Sequence, residues 1–319
     1  MHNPSTAWRE QPLDEEEAML EGFARDISAI QAKVSARHGP GRTFHRVGIA
    51  GLTGRLSVLP DLPPHAAQGV CASPRSYDVR IRLSNGAIVP QSDSLPDIRG
   101  FAIKLLGVEG PGALGGDATC QDFLLINREN FGFRDAAPFM AIAKAAAEGP
   151  FALLVHMVRT HGFFDGLGRV RTLLADLSAP FGGFLSHPMY STVPLAWGPY
   201  AVRLRLTPKL QPLPKPRRWI DDVRAQLARG PAKFDIEVQY YLDEQRTPIE
   251  DASAPWDSPF VPVACLEVPP QELSDTAAAW IEEDRFDPWA ALMEHRPLGH
   301  IMRARKATYY ASQQGRKTT

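Results

Sequence analysis

The chain has 319 residues, enough to bury one large core or two ordinary ones. Its 35 Lys and Arg nearly balance 36 Asp and Glu, and a net charge of −1 gives no reason to expect a nucleic-acid or anionic-membrane partner. Three cysteines, Cys71, Cys120 and Cys265, stand far apart in no metal-binding spacing, which points to free thiols in a reducing compartment.

The first twenty residues are polar and acidic, unlike a secretory signal, and no run reaches the ~20 apolar residues a membrane span needs. A cytoplasmic protein is expected. Residues 13–37 read as a first helix, with Asp14 to Glu17 at its start and Gly39-Pro40-Gly41 ending it. Strand-like segments follow at 45–58, 77–84, 99–108 and 121–127. Alternation is clearest in Val79-Arg80-Ile81-Arg82-Leu83-Ser84. A Gly-rich loop occupies 109–118. From Ala136 to about Leu177 the pattern turns helical, in three pieces. Strands return at 200–207 and 233–244, separated by a Pro- and Arg-rich loop and a helix near 218–229. A last strand at 260–268 precedes closing helices at 278–285 and 301–314. Strands come in runs, so the expected class is α+β: an eight-stranded antiparallel β-barrel with surrounding helices. The 29 prolines suit strands and long loops better than a helical bundle.

Several residues carry chemistry. Arg305 and Tyr309 are one helical turn apart and share a face. A guanidinium beside a phenol favours the phenolate, a hard anion that can bind ferric iron; an ordinary surface pair is the plain alternative. His45 follows Arg42-Thr43-Phe44 and precedes Gly48, Gly51 and Gly54, glycines that permit close backbone approach. Arg82 and Ser84 share one face of a strand, where an arginine calls for an anion and a serine can accept from an imidazole. His38, His65, His156, His161, His187, His295 and His300 fit no ligand spacing and read as structural or surface groups. Arg99 and Lys104 read as scaffold, while Asp97 stands between a channel and a structural role.

At these stretches the sequence resembles the haem catalases. Arg42, His45 and Gly48 match that family's Arg-x-x-His motif with its following glycine. Arg82-Leu83-Ser84 matches Arg-Phe-Ser, and Asp97 to Lys104 matches Asp-x-Arg-Gly-Phe-Ala-x-Lys in full. Asn127 to Asp135 keeps part of a further motif, and Arg305, Tyr309 and Arg316 match the family's Arg-x-x-x-Tyr with its later arginine. The segments DFLLIN (122–127), PIEDAS (248–253) and EHRPLGHIMRARKATYY (294–310) look like those of the short catalase-related haem proteins, which include peroxidases and allene oxide synthases.

The resemblance implies a single catalase-like haem-binding domain over 1–319. Residues 1–40 would form an N-terminal helical arm, and 290–319 a C-terminal helix carrying the proximal ligand. It implies haem b with Tyr309 as the ligand to Fe(III) and Arg305 holding it as phenolate. His45 would be the distal base, Ser84 its partner and Asn127 the distal amide, the last with a one-residue slip in alignment. Arg42, Arg82 and Arg316 would pair with the haem propionates, with Phe131 and Phe139 on the distal side. The expected activity is peroxidase, reducing hydrogen peroxide or an organic hydroperoxide through a ferryl intermediate, with weak catalase activity. A small electron donor would be consumed, and the protein would be a homo-oligomer. Alternatives are an allene-oxide-synthase-like isomerase or dehydratase of fatty-acid hydroperoxides, and a non-catalytic haem-binding protein. Phe44, Asn130 and Gly132 depart from the catalase pattern. The glycine opens space that suits organic hydroperoxides.

Overall fold

The structure is a computed structural model that describes residues 4–214, 216–273, 280 and 283–317. Its helices are α1 (Glu16–His38), α2 (Ala136–Glu148), α3 (Pro150–His161), α4 (Phe163–Leu177), α5 (Trp219–Arg229) and α6 (His300–Lys317). Its strands are β1 (Gly48–Val58), β2 (Ser76–Asn85), β3 (Arg99–Leu106), β4 (Cys120–Ile126), β5 (Met189–Tyr190), β6 (Leu195–Trp197), β7 (Tyr200–Pro208), β8 (Ala232–Tyr240) and β9 (Phe260–Val268). Half of the expected helix at 278–285 lies outside the described residues.

The strands run β5-β4-β3-β2-β1-β9-β8-β7, every pairing is antiparallel, and β5 also pairs with β7. The sheet therefore closes on itself as an eight-stranded barrel, and β6 is an extra strand on β7. Closure leaves no unpaired edge. Residues alternate across the wall. Val79, Ile81, Leu83, Phe101, Ile103 and Leu105 fill the main core, so Arg82 and Ser84 of β2 and Gly100 and Ala102 of β3 face the other way. That outward face of β1–β4 is where the candidate residues gather. A barrel interior packed with Leu, Ile, Val and Phe leaves no room for them.

The boundaries differ from the sequence reading in several places, β8 ending at Tyr240 and α1 starting at Glu16 among them. β5 and β6 are two and three residues long, too short for alternation to register. His45, expected in the first strand, precedes β1 and adopts the left-handed region at φ 48°.

α1 and α6 pack along each other beside the outward face. Two sets of polar contacts, partly withdrawn from solvent, hold α6. At its start Arg303 meets Glu10 at 2.9 Å, Glu16 at 2.8 Å and Glu250 at 3.0 Å. Glu10 and Glu250 also accept from the backbone N–H groups of Gly299 and His300, where carboxylates suit the helix dipole. Burial works against the Glu16 carboxylate, yet the bonds from Arg303 hold it below its usual range. The second set ties the preceding loop to the barrel wall. Lys104 on β3 bonds both oxygens of Asp122 on β4, at 2.7 and 2.8 Å, and Asp122 accepts from the Asp287 backbone. Gln313 of α6 donates to Asp287 at 2.6 Å, and the Trp289 indole donates to Met302 O.

Burial pushes the Asp122 carboxyl up, opposed first by Lys104. Lys104→Met would leave a buried carboxyl without its partner and is expected to cost about 3–5 kcal/mol. Urea denaturation checks this. Lys104→Met with Asp122→Leu should recover most of the loss, because the uncompensated charge is then gone.

Candidate functional site

The candidate residues on this wall gather around His45. Its Nδ1 lies 3.0 Å from Ser84 Oγ, and Arg82 donates to the His45 carbonyl at 2.9 Å. The ring rests on Gly100, which pairs with Ser84 across β2 and β3. A Cβ at Gly100 would sit 2.6 Å from His45 Nδ1 and 2.7 Å from Ser84 Oγ, so only glycine leaves space for this pair. Burial, with Arg82, Arg305 and Arg42 added, pushes the imidazole down to about 3. It is neutral at any physiological pH, with a lone pair available to accept a proton.

From α6, Arg305 donates to Tyr309 Oη at 2.8 Å and lies over its ring. Arg305 also acts electrostatically on His45. The helix bearing Tyr309 is thus close to the wall bearing His45. One side chain of α1 spans both: buried Gln31 donates from Nε2 to Gly41 O at 2.7 Å and to Ser312 O at 3.0 Å. Thr43 reaches Ser312 as well, at 3.4 Å.

Arg42 and Arg316 line one recess of about 470 Å³, with His38, Arg46 and Pro90. Arg46 is buried and bonds the carbonyls of Arg42 and Gly39, so it shapes the loop that carries His45. Phe131 and Phe139 stack at 5.3 Å, with Phe133 and Phe44 within 5.8 Å of Phe139. Phe44, one of the departures, therefore joins this aromatic cluster. Gly132 has open space around it, and Asn130 accepts from Arg203.

Asn127 is buried at the end of β4. Its Oδ1 accepts from the Arg99 N–H at 2.7 Å, while its Nδ2 has no hydrogen-bond partner among the described residues. Asn85 Nδ2, beside Ser84, is in the same position. Asp97 accepts from the backbone of Ala87 and Ile98 and from Gln91, which gives it a structural place in its loop. Arg99 bonds Asn85 and Leu95 O, and Lys104 holds Asp122, so both are scaffold. His295 accepts from the Val70 N–H and His300 from Ala136 N–H; both are buried structural groups.

Sequence reasoning missed Gln31, Arg46 and the role of Gly100. The glycine lay inside a quoted motif, where its conflict with His45 was the signal available. Gln31 left none, since a polar residue on a helix reads as solvated until its neighbours are known.

No protein-family model matches the chain. None of the curated proteins matches it in sequence. Solved structures do match in shape. A fungal catalase superposes at TM-score 0.68 with 17% identity, over 99% of this chain and 65% of its own. The fold is catalase-like. Catalase A from Saccharomyces cerevisiae matches at TM-score 0.68 and 16% identity, over 99% of this chain and 68% of its own. A bacterial catalase matches at 0.64 and 16%, over 99% and 63%. The chain spans about two thirds of the length of these catalases.

Gly100→Ala tests the packing at His45. The added methyl is expected to displace the imidazole from Ser84 and to cost about 1–3 kcal/mol in urea denaturation. A crystal structure of the variant with His45 still at 3.0 Å from Ser84 would show the argument to be wrong.

Proposed function

We propose that the chain is a haem-dependent peroxidase that reduces hydrogen peroxide or organic hydroperoxides at the expense of a small electron donor. The observation that carries this is the double role of Arg305. It hydrogen-bonds Tyr309 and is near enough to His45 to disfavour its protonated form, while Gln31 and Thr43 tie Ser312 of the same helix to the loop that carries His45. The residues suit a haem in three further ways. Asn127 Nδ2 is a buried donor without an acceptor among the described residues. Ser84 and its cross-strand partner Gly100 leave the wall beside His45 free of bulky side chains. Arg42 and Arg316 bring positive charge to one recess, as two propionates would require.

Bound haem would supply a ferric iron that takes up a peroxide oxygen and stores oxidising equivalents as the O–O bond breaks. Tyr309 Oη would hold the iron, and the Arg305 N–H would stabilise its negative charge. Ser84 would accept from His45 Nδ1–H and fix the tautomer in which Nε2 carries the lone pair. Nε2 would then take a proton from one oxygen of the peroxide and hand it to the other. Asn127 Nδ2 would donate to the peroxide and orient it. Arg42, Arg82 and Arg316 would pair with the propionates, and Phe131 and Phe139 would pack against the macrocycle.

A second reading keeps the site and changes the reaction to isomerisation or dehydration of a fatty-acid hydroperoxide. The apolar cluster of Phe44, Phe131, Phe133 and Phe139, with open space at Gly132, favours it. Hydroperoxide consumed without an electron donor would select this reading over the first.

Purified protein reconstituted with haem should show a ferric haem spectrum. A protein that stays colourless would end the proposal. Tyr309→Phe should lose haem or change that spectrum. His45→Ala should keep haem and slow the peroxide reaction about 10²–10⁴-fold in stopped-flow mixing. Since His45 is neutral well below its ordinary range, the rate should be flat from about pH 5 to 8. A limb near pH ~6.5 would show that the imidazole titrates normally and that its burial has been misjudged.

A further inference from the structure

Residues 296–298 belong to the barrel end. The Ala196 N–H donates to Arg296 O at 2.8 Å, the Leu298 N–H donates to Pro194 O at 3.0 Å, and Leu195 bridges Pro297. α6 begins at His300. The residue between, Gly299, has φ 84°, and a Cβ there would lie 2.6 Å from Ile249 O. No side chain fits, so α6 leaves the barrel through a glycine.

The N-terminal segment crosses this junction. Residues 4–13 form neither helix nor strand. The Ser5 N–H donates to Tyr241 O at 3.1 Å. The Trp8 indole donates to Pro199 O at 2.9 Å, packs on the cluster that includes Tyr241, Ile249 and Leu298, and carries Arg296 over its ring at 5.2 Å. Glu10 then reaches both sides of the glycine. Its carboxylate lies 3.6 Å from Arg296 and accepts from the Gly299 N–H and from Arg303, at 2.9 Å each. The Gln11 N–H donates to Glu250, which also accepts from the His300 N–H, both at 2.7 Å. Charge neutralisation does not account for Glu10, since Arg303 retains Glu16 and Glu250 without it. What Glu10 adds is a bond across the junction.

We propose that α6 is a hinged flap that turns on Gly299, and that residues 8–11 are the clasp that keeps it shut. Opening admits the haem of the reading above, on which this inference rests. In that reading the macrocycle lies between Tyr309 on α6 and the wall beside His45. The wall is part of a closed barrel and cannot part without losing ladder bonds. The helix is the element that can move, because a glycine joins it to the barrel. Its further ties, from Gln31, Trp289 and Gln313, are side-chain hydrogen bonds that can break and re-form.

Hydrogen exchange of the haem-free full chain tests the hinge. Glu10→Gln should speed exchange of the α6 amides about tenfold, with those of β1–β4 unchanged, because two charge-assisted bonds across the junction are weakened. Trp8→Ala, whose lost bonds are to Pro199 and Arg296 rather than to α6, should act in the same direction and several-fold. In the haem-loaded protein, Glu10→Gln should release haem to apomyoglobin about tenfold faster with an unchanged ferric spectrum, since Arg305 and Tyr309 are intact. Equal acceleration in β1–β4 would assign Glu10 to global stability and overturn the proposal. So would α6 exchange that neither variant alters, or haem release at the wild-type rate from a variant whose α6 exchanges faster. Exchange is read without haem. A chain that takes up no haem therefore ends the peroxidase reading and the purpose given to the hinge, while the exchange data still decide whether the hinge exists.

Discussion

Arg303 sits among Glu10, Glu16 and Glu250, and the placement of α6 hangs on that cluster. These three acids come from an N-terminal segment, from α1 and from a loop between β8 and β9. Their convergence on one guanidinium therefore fixes α6 against parts of the chain far apart in sequence. Burying a cation is costly, and three carboxylates offset the cost while raising the Arg303 pKa further. The opposite end of the helix needs its own restraint, since one anchored end leaves a helix free to pivot. Gln31 and the Asp122–Asp287–Gln313 relay supply it. Tyr309 lies between the two restraints, so its position is set by both.

The wall facing α6 is held to a similar standard by exclusion of bulk. His45 takes a left-handed conformation that a histidine rarely adopts, at a cost the surrounding contacts must repay. The repayment is visible. Its backbone N–H donates to Gly86 O, its carbonyl accepts from Arg82, and its ring has Ser84 on one edge and Gly100 beneath. The same enclosure that fixes the ring withdraws it from much of the solvent, and three nearby arginines add repulsion for a proton. Geometry and basicity at His45 thus have one origin. A substitution that opens the enclosure changes both.

Much of this was legible in the sequence, and the boundary of legibility has a physical cause. Alternation in Val79–Ser84 announced a strand, and the observed β2 register puts Arg82 and Ser84 on one face as read. The turn-length spacing of Arg305 and Tyr309 announced their contact, which is a hydrogen bond. Both are local patterns, fixed by backbone periodicity. What stayed hidden is non-local. Periodicity gives the side of a strand but not which side is the packed interior, and here the candidate residues lie on the side away from the barrel core. Gln31 meets Gly41 and Ser312 only after α1, the His45 loop and α6 have come together. The short strands β5 and β6 close and extend the barrel with too few residues to show any period.

Asn127 shows how far hydrogen-bond accounting alone can carry the site. A carboxamide has one acceptor and two donor hydrogens, and its two ends are told apart only by their partners. Here the Arg99 backbone N–H points at one end, at 2.7 Å. A flipped amide would face that N–H with another donor, so the orientation is settled and Nδ2 is committed to the opposite side. A buried donor left unmet costs about 1–3 kcal/mol. β4 could have ended in an apolar residue of similar size at less cost. Retaining an amide whose acceptor end is used by the scaffold and whose donor end is not makes sense for a group that meets its acceptor in a ligand. The same accounting places His295 and His300 in the scaffold: His295 accepts from the Val70 N–H and turns its other ring nitrogen to Ala196 O at 3.4 Å, while His300 accepts from the Ala136 N–H and its Nε2, without a hydrogen bond among the described residues, lies 3.7 Å from the Glu16 carboxylate.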